Sequence, residues 1–348
     1  MAKPESGSSK RSPRPGPPEP DPSAAPHPGP ANGGPLIIAK TAVPPGVVQK
    51  LEIPVARLPT QIYLSIPVAV VHGSRPGPRL WLSAAIHGDE VNGVEVIRQV
   101  LARLDPRTLG GAVIAVPIVN VFGFINESRY LPDRRDLNRS FPGSHRGSLT
   151  ARLARLFLDE IVENSTHGVD LHTAALGRTN LPQVRVDLSH PPSREMALAF
   201  GAPVAIHSRL RDGSLREASR SMGRPVVLYE AGEPHRFNRS AIRFGVRGVL
   251  RVMSHLGMIE PVPDEREEAT VEAWGSRWVR ARRSGMFRRE VQLGDRVTPG
   301  DRLGTIADAF GDLNLAVRST ISGVVIGMAL NPLVNRGDAL VHIAELKE

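Results

Sequence analysis

The chain has 348 residues, which is enough for one large hydrophobic core and a smaller folded unit. It contains no cysteine, which excludes disulfides, cysteine-bound zinc and thiol nucleophiles, so histidine and carboxylate side chains must supply any metal site. The net charge is +9, but only five of the 44 basic residues are lysine and no basic run is interleaved with aromatic residues, so we expect arginines that bind acidic substrates and no nucleic-acid partner.

Residues 1–35 are predicted to be a disordered tail, because proline, glycine, serine and alanine dominate them and large apolar side chains are almost absent. The first residues lack the charged head and apolar stretch of a secretory signal, so we expect a cytoplasmic protein. The longest apolar runs, such as residues 112–121, have the length of strands and fall short of the roughly 20 residues that span a bilayer. We therefore expect no membrane association.

Residues 36–262 alternate between strand-like and helix-like patterns. Residues 80–86 form an apolar run that stops at His87, and apolar residues then recur at near-helical spacing from residue 91 to 104. Residues 111–122 form a second apolar run rich in β-branched side chains, which is typical of a strand covered on both faces. Further along the chain we predict helices at 149–163, 194–200, 215–222 and 238–258, and strands at 168–175, 203–207 and 225–229.

This alternation predicts an α/β catalytic domain at residues 36–262, with a mostly parallel mixed sheet covered by helices on both faces. From about residue 263 the pattern changes to short strand-like runs separated by Gly-Asp and Pro-Gly turns. We predict a small all-β, barrel-like module at residues 263–348. Residues 317–340 resemble half of a biotinyl- or lipoyl-type barrel but contain no lysine to carry a cofactor, so we expect a structural role that shapes the pocket mouth.

Residues of metal-binding type stand at several predicted strand ends. His87 and Glu90 are three positions apart at a strand-to-helix turn, which brings their side chains to one side, and histidine with glutamate is a common zinc-ligand set. His172 is the best candidate for a third ligand, because it follows Asp170 on the same face of a strand. Glu230 also ends a strand, where ligands bind in α/β sheets. Taken alone, the His87–Glu90 spacing is common and is better explained by a solvated turn histidine beside an exposed glutamate, and Asp170 with His172 also fits a structural hydrogen bond.

Five motifs in a fixed order favour the interpretation as a metal site. They are residues 86–90 (IHGDE), 128–130 (SRY), 136–143 (DLNRSFPG), 170–172 (DLH) and 229–232 (YEAG). Together they resemble the succinylglutamate desuccinylase/aspartoacylase family, the deacylase branch of the zinc carboxypeptidase-like hydrolases. The resemblance covers roughly residues 36–345 and implies the zinc carboxypeptidase-like fold.

The resemblance implies a role for each matching residue. His87, Glu90 and His172 would bind one zinc ion per chain, and Asp136 would orient His87 from behind. Glu230 would match the general base, which takes a proton from water and delivers it to the leaving amine.

The remaining matches concern the substrate. Arg129 would match the arginine that polarises the scissile carbonyl, while Asn138 and Arg139 would match the pair that holds a substrate carboxylate. Arg178, Asn180 and Arg185 follow the third ligand and are candidates for the lining of the substrate pocket, but we expect each to be a surface or loop residue.

The resemblance therefore implies a zinc-dependent hydrolase that cleaves the amide of a small-molecule N-acyl amino acid or related amine. A zinc peptidase that trims acidic residues from peptides or proteins is the alternative, but residues 173–228 contain no tyrosine to match the mobile tyrosine of the peptidases. A third hypothesis is a non-catalytic interaction protein that docks through the proline-rich tail and the β module. The complete set of ligands and base argues against it.

Overall fold

The computed structural model describes residues 34–58, 60–263, 268–312 and 314–346. The predicted tail at residues 1–35 lies outside the described residues except for its last two positions. The predicted boundary between residues 262 and 263 stays a prediction, because residues 264–267 are not described.

The helices and strands follow each other along the chain as an α/β region and then an all-β region. Before residue 264 they are β1 (Leu36–Ile38), β2 (Thr41–Val43), β3 (Val47–Arg57), β4 (Tyr63–His72), β5 (Arg75–Ala84), α1 (Asn92–Leu101), β6 (Gly110–Val116), α2 (Val121–Ile125), α3 (Leu149–Phe157), β7 (His167–His172), β8 (Arg178–Val186), α4 (Pro191–Phe200), β9 (Val204–His207), α5 (Leu215–Ser221), β10 (Val226–Gly232) and α6 (Arg239–His255). After residue 267 they are β11 (Val271–Ala273), β12 (Gly275–Arg280), β13 (Gly285–Arg289), β14 (Arg296–Val297), β15 (Arg302–Ala307), β16 (Asn314–Arg318), β17 (Gly323–Ala329), β18 (Leu333–Val334) and β19 (Ala339–Glu345). A 3-10 turn covers Leu137–Arg139, and a π-helical turn, Leu158–Val162, continues α3.

Helices cover both faces of the central sheet, as predicted. Strands β6, β5, β7 and β10 are parallel neighbours in that order. Leu80 and Leu82 of β5 pack into one core with α1, α4 and α6, while Trp81 points to the opposite core with α3 and α5. Buried side chains on alternate positions therefore fix the sheet between two helical layers, and the carboxyl ends of its parallel strands meet at one edge.

The central sheet is mixed, as predicted, and among the described strands before residue 264 four of its pairings are parallel and three are antiparallel. Among the pairings of the described 13-stranded sheet, five are parallel and seven are antiparallel. The parallel pairs lie where helices cross between strands. The antiparallel pairs before residue 264 are β3–β4, β4–β6 and β8–β10. Those that involve strands after residue 267 are β8–β17, β12–β19, β14–β17 and β17–β19.

The C-terminal β module is present, but it is joined to the large 13-stranded sheet. Strands β13, β15, β16 and β18 form a four-stranded antiparallel sheet, and side chains such as Phe287, Leu303 and Leu340 pack into a core of their own. Strands β12, β17 and β19 instead extend the large sheet, because β17 pairs with β8. The barrel-like closure of the module stays a prediction.

One predicted strand ends earlier than its apolar pattern does. The strand predicted at 111–122 stops at Val116, since Pro117 follows and cannot donate a hydrogen bond to a neighbouring strand. Asn120 then accepts a hydrogen bond from the backbone of Gly123 and begins α2.

No helix in the described parts of the chain is long and apolar enough to cross a membrane. The cytoplasmic location stays a prediction.

Gly168→Ala is expected to lower the free energy of unfolding by about 1–3 kcal/mol, the usual effect of overpacking a core. A Cβ atom at Gly168 would lie 2.0 Å from Cε2 of Trp81. That indole is fully buried and packs edge-on against Phe157, with ring centroids 6.0 Å apart, so it has no room to move away. Urea denaturation followed by tryptophan fluorescence measures the change.

Gly275→Ala is the matched control, because this glycine also lies within a strand and its φ is not positive. Its Cβ atom would meet Oε2 of Glu345 at 2.7 Å, which is the movable end of an exposed side chain. We expect a change of less than about 0.5 kcal/mol. Equal destabilisation by the two substitutions would contradict the packing argument.

Candidate metal centre and active site

A cavity of about 690 Å³ opens at the carboxyl ends of β5, β7 and β10. All seven residues that the sequence analysis assigned to a site line it: His87, Glu90, Arg129, Asn138, Arg139, His172 and Glu230. The structure therefore brings together side chains that are up to 143 positions apart in the sequence. The role expected of each side chain stays a prediction.

The turn after β5 holds His87 and Glu90 in place. Ala85 has a φ of 49°, a left-handed conformation that is unusual for alanine, and its carbonyl accepts a hydrogen bond from the Asn120 backbone at 2.9 Å. Gly88 lies so close to the next loop that a Cβ atom would be 1.9 Å from the carbonyl carbon of Gly123. This tight packing redirects the chain abruptly, and strained turns of this kind are common at functional sites.

Glu90 lies between two imidazole rings. Its Oε1 is 2.7 Å from Nδ1 of His87, and its Oε2 is 2.8 Å from Nδ1 of His172. All three side chains are buried, and one ligand atom from each lies within 4.8 Å of the others. Imidazole nitrogens and a carboxylate are a donor set that suits several divalent metals, so this group could hold a metal ion.

The outer nitrogen of each ring faces another carboxylate. Nε2 of His87 is 3.2 Å from Oδ1 of Asp136, and Nε2 of His172 is 2.8 Å from Oδ2 of Asp170. With a metal at Nδ1, each ring can keep its proton on Nε2 and donate it to that carboxylate, the usual arrangement behind metal-bound histidines. The residues present therefore fit a bound metal.

The outer carboxylates are themselves fixed. Ser83 donates a hydrogen bond of 2.6 Å to Asp170, and the Arg129 guanidinium forms an ion pair of 2.9 Å with Asp136. Burial by itself raises the pKa of Asp136, but the hydrogen bond with His87 and the charges of His87 and Arg129 outweigh it and lower that pKa. Asp136 is consequently ionised at neutral pH and available as an acceptor.

Glu230 lies in β10, beside β8. Its Oε2 accepts a hydrogen bond of 2.9 Å from the Asn180 side chain and forms an ion pair of 3.0 Å with Nε of Arg185. Both contacts are made by Oε2, which leaves Oε1 available to contact other groups. The two strands shift register between Glu230 and Gly232, which is a bulge of the kind that redirects side chains near active sites.

The expectation that Arg178, Asn180 and Arg185 are surface or loop residues was wrong. They belong to β8 and line the cavity. Sequence reasoning missed the strand because Pro182 interrupts it and polar residues dominate it. Only its β-branched residues, Thr179, Val184 and Val186, indicate a strand.

Asn138 and Arg139 lie on the 3-10 turn beside the start of α5. Oδ1 of Asn138 accepts a hydrogen bond of 2.9 Å from the Leu215 backbone, so its amide nitrogen is the end that can bind another molecule. Arg139 also donates a hydrogen bond to the Asn138 carbonyl. Both residues thus offer donors to the cavity, and donors are what a carboxylate requires.

The C-terminal module supplies one wall of the cavity. Ser276, Trp278 and His342, on β12 and β19, all line it. The indole of Trp278 stacks on His342 at 4.5 Å, and the guanidinium of Arg178 lies 4.8 Å from the indole centroid. We expected the module to shape the pocket mouth, but nothing in its sequence pattern singled out these residues.

Comparisons with known proteins agree with this architecture. The family model for the succinylglutamate desuccinylase/aspartoacylase catalytic domain matches residues 76–256. The N-alpha-acetyl-L-2,4-diaminobutyric acid deacetylase of Halomonas elongata is 31% identical over 299 residues, which cover 81% of this chain and 86% of the relative.

Solved structures give the same result for the fold. A succinylglutamate desuccinylase/aspartoacylase from Rhodobacter sphaeroides superposes with a TM-score of 0.76 at 28% identity, covering 86% of this chain and 96% of that one. The product-bound ectoine utilization protein EutE of Ruegeria pomeroyi superposes with a TM-score of 0.77 at 24% identity, covering 86% and 95% of the two chains. The chain therefore belongs to the succinylglutamate desuccinylase/aspartoacylase family.

Proposed function

We propose that this protein is a zinc-dependent amidohydrolase that cleaves the linear amide of an N-acyl amino acid or a related N-acylated amine. The observation that carries the proposal is the buried group of His87, Glu90 and His172, which opens on the same cavity as Glu230. The relative from Halomonas elongata, which is named as a deacetylase of an N-acetylated amino acid, supports it. The overall reaction consumes one water and yields a carboxylate and an amine.

His87, Glu90 and His172 are the proposed ligands of a single zinc ion. When bound there, zinc supplies Lewis acidity and lowers the pKa of water toward about 7. Asp136 and Asp170 hold the two imidazole rings so that Nδ1 of each faces the metal position. The chain thus presents its ligands already oriented.

Glu230 acts as the general base and then as the general acid. It removes a proton from the water molecule that attacks the carbonyl carbon, and it delivers that proton to the amine nitrogen as the C–N bond breaks. Asn180 and Arg185 hold Oε2, so the carboxylate keeps its orientation during both transfers through Oε1.

Arg129 stabilises the negative charge that develops on the former carbonyl oxygen. Its Nε and Nη2 are bound by Asp136, while Nη1 lies 3.5 Å from Oε1 of Glu90, at the metal position. A guanidinium fixed in this way interacts most strongly with the transition state, where the oxygen is most negative.

Asn138 and Arg139 hold the carboxylate of the substrate. The side-chain amide nitrogen of Asn138 and the guanidinium of Arg139 are both donors at the cavity wall, and together they fix a planar carboxylate. Holding the substrate at this point positions its amide beside Glu230 and the three proposed zinc ligands.

His172→Ala is expected to abolish stoichiometric zinc binding, because it removes one of three protein ligands. Asp170→Asn is expected to weaken zinc binding by about 10–100-fold, the usual effect of losing a partner behind a metal-bound histidine. Metal analysis after dialysis, and titration of the metal-free protein with zinc, measure both effects.

His145→Ala is the control for these variants, since His145 is exposed and lies outside the cavity, 3.5 Å from Asp159. We expect it to bind one zinc ion per chain. A His172→Ala protein that still binds one zinc ion would show that the proposed ligand set is wrong.

Glu230→Gln is expected to lower kcat by about 10²–10⁴-fold, the usual contribution of a general base, and to leave zinc content unchanged. The glutamine keeps the shape of the side chain but cannot take up a proton. Steady-state kinetics and metal analysis of the same preparation test both parts.

Glu233→Gln, at a glutamate paired with Arg236 outside the cavity, serves as the control and should keep wild-type kcat. Retention of more than a tenth of kcat by Glu230→Gln would exclude it as the base.

A panel of substrates separates a deacylase from a peptidase that trims acidic residues. We expect higher kcat/KM for N-acetyl and N-succinyl amino acids than for short peptides with a free C-terminus. The physical reason is that, among the described residues, no tyrosine lines the cavity to match the mobile tyrosine of the peptidases. Faster hydrolysis of peptides that end in aspartate or glutamate would favour the peptidase instead.

A further inference from the structure

A second cavity lies in the C-terminal module, and we call it the module cavity. It has a volume of about 400 Å³ and is lined by residues of β12, which belongs to the large sheet, and of β16, which belongs to the four-stranded sheet. Trp278 lines both this cavity and the one that holds the candidate metal centre, so the two are neighbours. None of the five sequence motifs includes a residue of the module cavity.

Three arginines line the module cavity and, among the described residues, no carboxylate does. Arg280 ends β12, Arg282 follows two positions later, and Arg318 ends β16. None of the three forms an ion pair with a carboxylate in the part of the chain that the structure describes. A concave surface lined by charges of one sign focuses their field and concentrates ions of the opposite sign.

Neutral groups hold two of these arginines in place. Arg280 donates a hydrogen bond of 2.9 Å to the carbonyl of Gly337, and Arg318 donates one of 2.7 Å to the carbonyl of Gly300. A carbonyl oxygen orients a guanidinium without cancelling its charge. Since a guanidinium has five N–H donors, each arginine keeps donors that a ligand can use.

The carboxylates beside those two glycines bind their own turns. Asp301 follows Gly300, and its Oδ2 accepts hydrogen bonds of 2.7 Å and 3.0 Å from the backbone and the hydroxyl of Thr298. Asp338 follows Gly337, and its Oδ2 accepts a hydrogen bond of 2.7 Å from the backbone of Asn335. The positive charge of the cavity is therefore left for a ligand to balance.

The rest of the lining sets the size and character of that ligand. Val279, Leu315, Ala316 and Val317 contribute apolar surface, and the other lining residues between 300 and 320 are small. A volume of about 400 Å³ lies in the range of small-molecule sites. Three guanidinium groups suit a ligand with more than one negative charge, because bidentate binding by arginine favours phosphate and carboxylate groups.

We propose that the module cavity binds a compact polyanion, a small molecule with two or more phosphate or carboxylate groups. Arg280, Arg282 and Arg318 donate hydrogen bonds to its oxygens. The inference does not depend on the proposed function, since no residue that lines the module cavity takes part in the proposed reaction.

Isothermal titration of the zinc-loaded protein with two probes, at constant ionic strength, tests the proposal. Fructose 1,6-bisphosphate carries two phosphate groups and tricarballylate carries three carboxylates, so the tighter binder shows which chemistry the site prefers. Arg282→Gln and Arg318→Gln are each expected to weaken that probe by about 10-fold, the lower end of the range for a hydrogen bond to a charged group. Metal analysis after each titration checks that the protein keeps its zinc.

Arg289→Gln is the matched control. Arg289 is an exposed arginine of the same module, at the end of β13, and it lies outside both cavities. Its substitution changes the net charge as much as Arg282→Gln does, but it should keep wild-type affinity for the probe. Arg139→Gln, in the other cavity, should also keep the Arg282-dependent binding.

The proposal is wrong if neither probe binds to the wild-type protein, or if Arg282→Gln and Arg318→Gln bind as tightly as the wild type. Equal weakening by Arg289→Gln would overturn it as well, because the attraction would then be a general effect of net charge. Binding that Arg139→Gln abolishes would assign the probe to the other cavity, with the same consequence.

A crystal structure of the wild-type protein with the tighter probe decides the matter if a variant fails to fold. A phosphate or carboxylate oxygen within hydrogen-bond distance of Arg282 or Arg318 supports the proposal. A module cavity without the probe overturns it.

Discussion

The structure depends on a buried carboxylate, Glu90, that two imidazole rings approach from either side. Such a charge is stable in the interior only when its partners are fixed, and each ring is fixed by a second carboxylate behind it. The arrangement requires β5 and β7 to be parallel neighbours, with Ser83 opposite Asp170 and Ala84 opposite Leu171. The two helical layers and the strained turn at Ala85 maintain that register.

Charge divides the cavity into two regions of opposite character. Around Glu90 the acidic groups predominate and suit a cation, whereas the walls formed by β8, the 3-10 turn and the start of α5 are rich in arginine. An anionic substrate is attracted by the walls and repelled by the carboxylates until a cation neutralises them. The same charges would therefore align an anionic substrate with the proposed zinc ligands, His87, Glu90 and His172.

Much of this site could be predicted from the sequence, because residues at the ends of buried strands must meet at one edge of a parallel sheet. His87, His172 and Glu230 were found in this way, and the ordered motifs added Arg129. The residues of β8 could not be recognised as a strand, since a polar segment broken by proline resembles solvent-exposed chain. Their burial results from pairing with distant strands, which local periodicity does not encode.

The pairing of β17 with β8 has a consequence for how such proteins diverge. Gly327 lies opposite Asn180, whose side chain donates a hydrogen bond to Glu230, so the C-terminal strands are connected through β8 to the proposed general base. The matched family domain ends at residue 256, before these strands begin. Recombination that replaces the C-terminal strands would thus exchange the part of the cavity wall formed by Ser276, Trp278 and His342 and leave His87, Glu90 and His172 in place, so that the proposed chemistry and the shape of the cavity could be inherited separately.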